Sequence, residues 1–127
     1  MKKEIISTHN APQAIGPYSQ AVKCGDMVYI SGQIPLNPET KAIVSDDFVE
    51  QAHQVFFNLS AIAKEAKGSL DDAVKLTVYL IDLNDFARLN EMMAKYLSEP
   101  FPARATVQVS ALPLGAKLEV DAVLHLS

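Results

Sequence analysis

The chain has one cysteine, no tryptophan, five glycines among its 127 residues, and no excess of basic charge. Each scarcity removes a class of protein. The lone Cys24 cannot close an intramolecular disulfide, and no histidine lies near it in sequence to activate its thiol. His9, His53 and His125 stand far apart, with no HExxH and no Cys-x-x-Cys pair, so no metal site is signalled. The glycines fit neither a GxGxxG fingerprint nor a P-loop, so nothing asks for a nucleotide cofactor. Apolar runs break off within a few residues, too soon for a membrane-spanning helix. The stretch Met1–Ser7 carries two lysines but no apolar segment after them, so no secretion signal is expected and the cytoplasm is the default setting. A net charge of −4, with Lys and Arg scattered and not interleaved with aromatics, argues against nucleic acid as a partner.

What remains is the composition of a globular protein: 49% hydrophobic and 20% charged residues. Its length suits a single domain over 1–127, able to hide roughly two-thirds of its unfolded surface. Periodicity divides the chain. Short strands are expected over Lys3–Thr8, Tyr18–Lys23 and Met27–Ser31, the last two joined by the turn Cys24-Gly25-Asp26. Gly32 to Pro38 should interrupt regular structure. A helix capped by Ser45 or Asp46 follows, with Phe48, Ala52, Val55, Phe56, Leu59, Ile62, Ala63 and Ala66 as its core stripe and Gly68 as its stop. Asp71 or Asp72 can cap a turn before the strand Ala73–Ile81, one of whose faces (Val74, Leu76, Val78, Leu80) is wholly apolar. A second helix begins at Asn84 or Asp85 and runs to about Leu97. Two alternating strands close the chain. The order β-β-β-α-β-α-β-β predicts a two-layer α+β sandwich, a mixed sheet with two helices on one face. The other face is mixed in character, and a partner subunit could cover it.

Two charges stand out in the last strands. Past two prolines, Arg104, Thr106 and Gln108 share one face, and Ala105, Val107 and Val109 the other. Fifteen positions beyond Arg104, Glu119 shares a face with Asp121 and His125, opposite Leu118, Val120, Ala122, Leu124 and Leu126. The plainer interpretation is a cross-strand ion pair. The functional one is a guanidinium that anchors a small organic anion while a carboxylate moves a proton beside it. Asn90 poses a similar choice. It lies in the apolar stripe of the second helix (Phe86, Leu89, Met93, Tyr96, Leu97), either bonded to a loop or aimed into a pocket.

Five motifs tip the balance: Ala14-Ile15-Gly16-Pro17-Tyr18-Ser19-Gln20, Ser31-Gly32-Gln33-Ile34-Pro35, Asp82-Leu83-Asn84-Asp85-Phe86, Phe101-Pro102-Ala103-Arg104 and Leu118-Glu119-Val120. Together, and in this order, they resemble the Rid (YjgF-like) family of enamine/imine deaminases from Ala11 to the C-terminus. The resemblance implies a chorismate-mutase-like fold, a homotrimer with pockets at its subunit interfaces, and cofactor-free hydrolysis of 2-iminobutanoate and 2-iminopropanoate to 2-oxo acids and ammonia. By motif position it makes Arg104 the carboxylate anchor and Glu119 the acidic residue near the reactive water. Tyr18, Ser31, Gly32 and Asn90 would line the pocket, and Thr106 could orient the water through its backbone groups. Thr106 is also a departure, standing where many members carry a cysteine. Water-driven hydrolysis does not need that thiol. A 3-aminoacrylate deaminase would use the same clamp, a metabolite-sensing trimer would bind without turnover, and a ribonuclease activity sits poorly with the acidic charge.

Overall fold

Alternation along the central strands sorts the chain into a covered side and a bare side. The computed structural model describes residues 2–127; Met1, part of the stretch read for targeting, lies outside the described residues. The strands are β1 (Glu4–Ile6), β2 (Ala21–Cys24), β3 (Met27–Gln33), β4 (Ala73–Leu80), β5 (Ala103–Gln108) and β6 (Leu118–His125), with helices α1 (Phe48–Glu65) and α2 (Phe86–Tyr96). They form one six-stranded sheet in the order β1-β2-β3-β6-β4-β5. Every pairing is antiparallel except β4 with β5, which run parallel and are joined through α2.

The core fills the space between the sheet and the two helices. Val28, Ile30, Leu76, Val78, Leu80, Leu118, Val120 and Leu124 point from the sheet into it, against Val55, Phe56, Leu59 and Ile62 of α1 and Leu89 of α2. Burying each such side chain contributes about 1.5–3 kcal/mol. Three buried amides tie irregular backbone to this layer. Gln51 accepts from the Lys117 N–H and donates to the Ser45 carbonyl, and Asn58 donates to the Leu36 carbonyl. Gln20 accepts from the Thr8 N–H and donates to the carbonyls of Thr8 and Pro12, which fastens the loop between β1 and β2. The opposite face carries Tyr29, Tyr79, Val107, Glu119, Asp121 and Val123, and neither α1 nor α2 covers it; Tyr29 and Val107 are exposed.

The expected element order is found, with local corrections. β2 begins at Ala21, because Tyr18 sits in the loop that Gln20 fastens. β3 runs on through Gly32 to Gln33, where a break is expected, and absorbs the irregularity as a register shift against β6. The α1 cap is Asp47, whose carboxylate accepts from the Glu50 N–H at 3.0 Å; Ser45 instead accepts from the Asp47 N–H. Ser69, with Asp72 returning to its backbone, caps the turn before β4. Another register shift between Ala73 and Lys75 turns Val74 outward, so the apolar face of β4 starts at Leu76. Asp82 caps a single 3-10 turn, and α2 proper starts at Phe86.

The end of α1 also differs. The residue in the left-handed region is Lys67 (φ 68°), and Gly68 serves instead as a gap: a Cβ there would lie 2.5 Å from Leu126 Cδ2 and 2.8 Å from Asp72 Oδ2. Lys67→Gly should therefore raise stability by about 1 kcal/mol by relieving the left-handed penalty. Gly68→Ala should lower it by about 1–3 kcal/mol by overpacking. Urea midpoints of the two variants against wild type check both signs.

Candidate active site

Arg104 projects from β5 toward the helical layer, in register with the buried Leu76. Because β5 is the sheet's edge, only α2 reaches over it. Arg104 Nη1 donates to Asn90 Oδ1 at 2.6 Å and lies 3.5 Å from Met93 Sδ, and the guanidinium carbon sits 4.9 Å from the centre of the Phe86 ring. An aromatic face below and an amide beside it hold the planar group without neutralising it. Only Nη1 is engaged among the described residues, which leaves the rest of the fork for a ligand. Arg104 lines a cavity of about 500 Å³ with Asn90, Met93, Leu97, Phe101 and Pro102. The amide of Asn90 thus serves the guanidinium and bonds no loop. Thr106 shares the Arg104 face but is not among the residues lining this cavity; its hydroxyl is buried without a hydrogen-bond partner, an arrangement that costs about 1–3 kcal/mol.

Glu119 projects from β6 to the bare face. Its carboxylate packs over Gly32 so closely that a Cβ there would lie 2.3 Å from Oε2, which is why β3 carries glycine opposite it. The two residues line a second cavity of about 410 Å³ with Tyr18, Gln33, Ile15 and Leu114. Burial, and secondarily the charge of Asp121, raise the Glu119 carboxyl above the ordinary glutamate value. The Tyr18 hydroxyl accepts from the Ile15 N–H at 3.4 Å. Ser31 is not among the residues lining this cavity. Its hydroxyl donates to the Ser19 carbonyl at 2.6 Å and its N–H to the Gln20 carbonyl, so Ser31 seats the loop that carries Tyr18.

The seven residues singled out from the sequence therefore fall into two groups, Arg104, Asn90 and Thr106 against Glu119, Tyr18, Ser31 and Gly32. β4 lies between β5 and β6, and the residue level with Glu119 is Tyr79, whose β5 neighbour is Val107. Arg104 and Glu119 also point to opposite faces of the sheet. No cross-strand ion pair forms between them, and a single chain does not set its guanidinium near its own carboxylate. That picture is corrected by the strand order.

Comparison with known proteins places this geometry. The family model described as endoribonuclease L-PSP matches residues 8–126. A RutC family protein of Pyrococcus abyssi is 50% identical over 125 residues, 98% of each chain. A 2-iminobutanoate/2-iminopropanoate deaminase of Dermatophagoides farinae is 42% identical over 96% of this chain and 95% of its own. The crystal structure of RidA from an Antarctic Psychrobacter superposes with a TM-score of 0.94 at 53% identity, covering 97% of this chain and 99% of that one. The chain belongs to the Rid (YjgF/RutC) family. Its sheet and two helices are the Rid fold, and its named relatives support a deaminase role.

Some residues of the site escape a reading of the sequence. Phe86 and Met93 look like core positions by spacing, yet Phe86 is 38% exposed and lies under the guanidinium. Ile15 and Leu114, 78% and 70% exposed at the rim of the Glu119 cavity, belong to irregular segments with no periodicity to expose them.

The raised Glu119 carboxyl has a consequence for stability. A folded-state pKa above the unfolded value near 4.5 means that the native chain holds more proton in the window between them. Stability should fall as pH rises from about 4.5 through that window, then level off. Denaturation midpoints of Glu119→Gln should fall less than those of wild type over the same range.

Proposed function

We propose that the protein hydrolyses small 2-imino acids and their enamine tautomers, 2-iminobutanoate and 2-iminopropanoate among them, to 2-oxo acids and ammonia without a cofactor. We assign the reaction to a homotrimer in which the Arg104 cavity of one copy meets the Glu119 cavity of the next. The observation that carries this reading is a guanidinium braced by Asn90 and Phe86 at the wall of a cavity, with donors to spare. The separation of the two groups supports shared sites, since only a second copy can supply the missing half. The uncovered sheet face, with Tyr29 and Val107 exposed, is a surface for such assembly.

The chemistry follows from the substrate. An imine of a 2-oxo acid carries a carboxylate one bond from its electrophilic carbon. Arg104 grips the carboxylate through its planar fork, which fixes the carbon against water. Glu119 gives a proton to the imine nitrogen, the water oxygen bonds to carbon, and the carboxylate takes a proton back from that water. Glu119 then passes its proton to the amino nitrogen and takes the proton of the new hydroxyl as the C–N bond breaks and the carbonyl forms. Ammonia leaves, the acid is restored, and imine plus water becomes oxo acid plus ammonia. Proton shuttling of this kind is worth about 10²–10⁴-fold. Gly32 lets its own N–H and the Glu119 carboxylate come close to the bound acid, with Tyr18 beside them, while the backbone groups of Thr106 orient the water. Glu119 and Tyr18 act from one copy and Arg104, Asn90 and Thr106 from the other. An enamine such as 3-aminoacrylate presents the same carboxylate, and relative rates on the two compounds separate these substrates.

Generating 2-iminopropanoate in situ and following oxo-acid release above the protein-free rate tests the assignment. Arg104→Ala should abolish the added rate. Arg104→Lys should lower kcat/KM by about 10²-fold, because charge without the fork does not fix the carbon. Near-wild-type turnover by the lysine variant overturns the clamp. Refolding Arg104→Ala together with Glu119→Gln should restore activity that neither variant has alone, because mixed assemblies contain intact sites; sites confined to one chain would stay dead.

A further inference from the structure

On the bare face, Glu119 has a neighbour that the hydrolytic steps above leave unused. Asp121 lies two residues along β6 on the same side, and its carboxylate accepts from the Tyr79 hydroxyl at 3.1 Å. The residue level with Tyr79 in the ladder is Glu119, yet the hydroxyl reaches past it to Asp121, whose own level neighbour is Thr77. Among the described residues no group donates a hydrogen bond to the Glu119 carboxylate. The Tyr79 phenol thus bonds the second acid, and the first is left without a donor among the described residues.

We propose that Tyr79 and Asp121 form a positioning pair for Glu119: the hydroxyl fixes the Asp121 carboxylate on the strand beside the acid that starts hydrolysis, and leaves Glu119 itself free of a competing donor. The inference rests on the deaminase reading and adds to it the residues that set which carboxyl is the acid. Two acids with unequal surroundings divide the roles: here one accepts from a phenol and the other has no donor among the described residues. Burial of Glu119 and the nearby Asp121 charge act in the same direction on its carboxyl. The other groups facing it do not oppose this. Tyr79 and Thr77 of β4 are neutral, β3 offers Gly32 and Tyr29, and the loop offers Tyr18. Lys75 stands level with Val123, beyond Asp121. In the shared site the guanidinium of a second copy approaches as well, but the substrate carboxylate it grips matches its charge. Asp121 is then the uncompensated neighbour.

The test reads the carboxyl directly. Side-chain ¹³C NMR of glutamate-labelled protein, with Glu119 assigned by Glu119→Gln, gives its titration in wild type, Asp121→Asn and Tyr79→Phe, each saturated with 2-oxobutanoate. The pH profile of kcat/KM is recorded alongside, and assembly size and melting temperature show whether each variant is intact. Asp121→Asn should move the Glu119 titration, and the alkaline fall of kcat/KM, to lower pH, because it removes a like charge beside the carboxyl. Tyr79→Phe should move both the same way by less, and the double variant no further than Asp121→Asn alone. Titration curves of wild type and Asp121→Asn that superimpose, or a shift to higher pH, overturn the pairing. A lowered titration in a protein that never turns over imine upholds the pairing and sinks the deaminase reading. Turnover with an unmoved titration does the reverse.

Discussion

A single layer of helices over one face of the sheet is the constraint on which everything else depends. With two helices and six strands, only one side of the pleat can be covered, and side chains along each strand alternate between the covered and the bare side. Leu118, Val120 and Leu124 go under the helices, so Glu119, Asp121 and Val123 must stand outside. On β5 the same parity sends Arg104 and Thr106 to the helical side. At the sheet's edge, however, that side is only partly roofed, by α2, and the guanidinium remains reachable. The two charges are separated by the same geometry that builds the core.

Each half of the site is then tuned by what the core leaves at its margin. The Arg104 half is made by α2: Asn90 and Met93 are one turn apart on the flank nearest β5, and Phe86 opens the helix beneath them. The Glu119 half is made by the absence of a side chain at Gly32 and by the loop that Gln20 and Ser31 seat. What they share is a charged group held by packing and left incompletely paired, the condition under which a side chain is ready for a ligand.

Much of this was legible from residue order. Strand parity put Arg104 with Thr106 and Glu119 with Asp121, and apolar spacing located both helices to within a few residues. What periodicity does not contain is which strands become neighbours. β5 and β6 are consecutive in the chain, and an adjacent pairing is the natural guess, but the crossover through α2 lays β5 parallel against β4 and so puts β4 between them. The register shifts at Ala73–Lys75 and Ile30–Gln33 were equally hidden, since one extra residue inverts parity without altering composition. Caps were misplaced by one to three residues because Ser45, Asp46 and Asp47 are all competent, and Ser69 competes with Asp71 and Asp72; tertiary packing chooses among them.

The fastening of residues 8–20 by Gln20 bears on how the molecule comes apart. One amide grips both ends of a segment that has no regular structure of its own, and that segment brings Ile15 and Tyr18 to their places. Its cohesion is concentrated in a few bonds, chiefly those of Gln20 and Ser31, whereas the sheet spreads its own over five paired ladders. On warming, the segment is built to let go as a unit while the strands still hold, so loss of the acidic half-site would precede melting of the body.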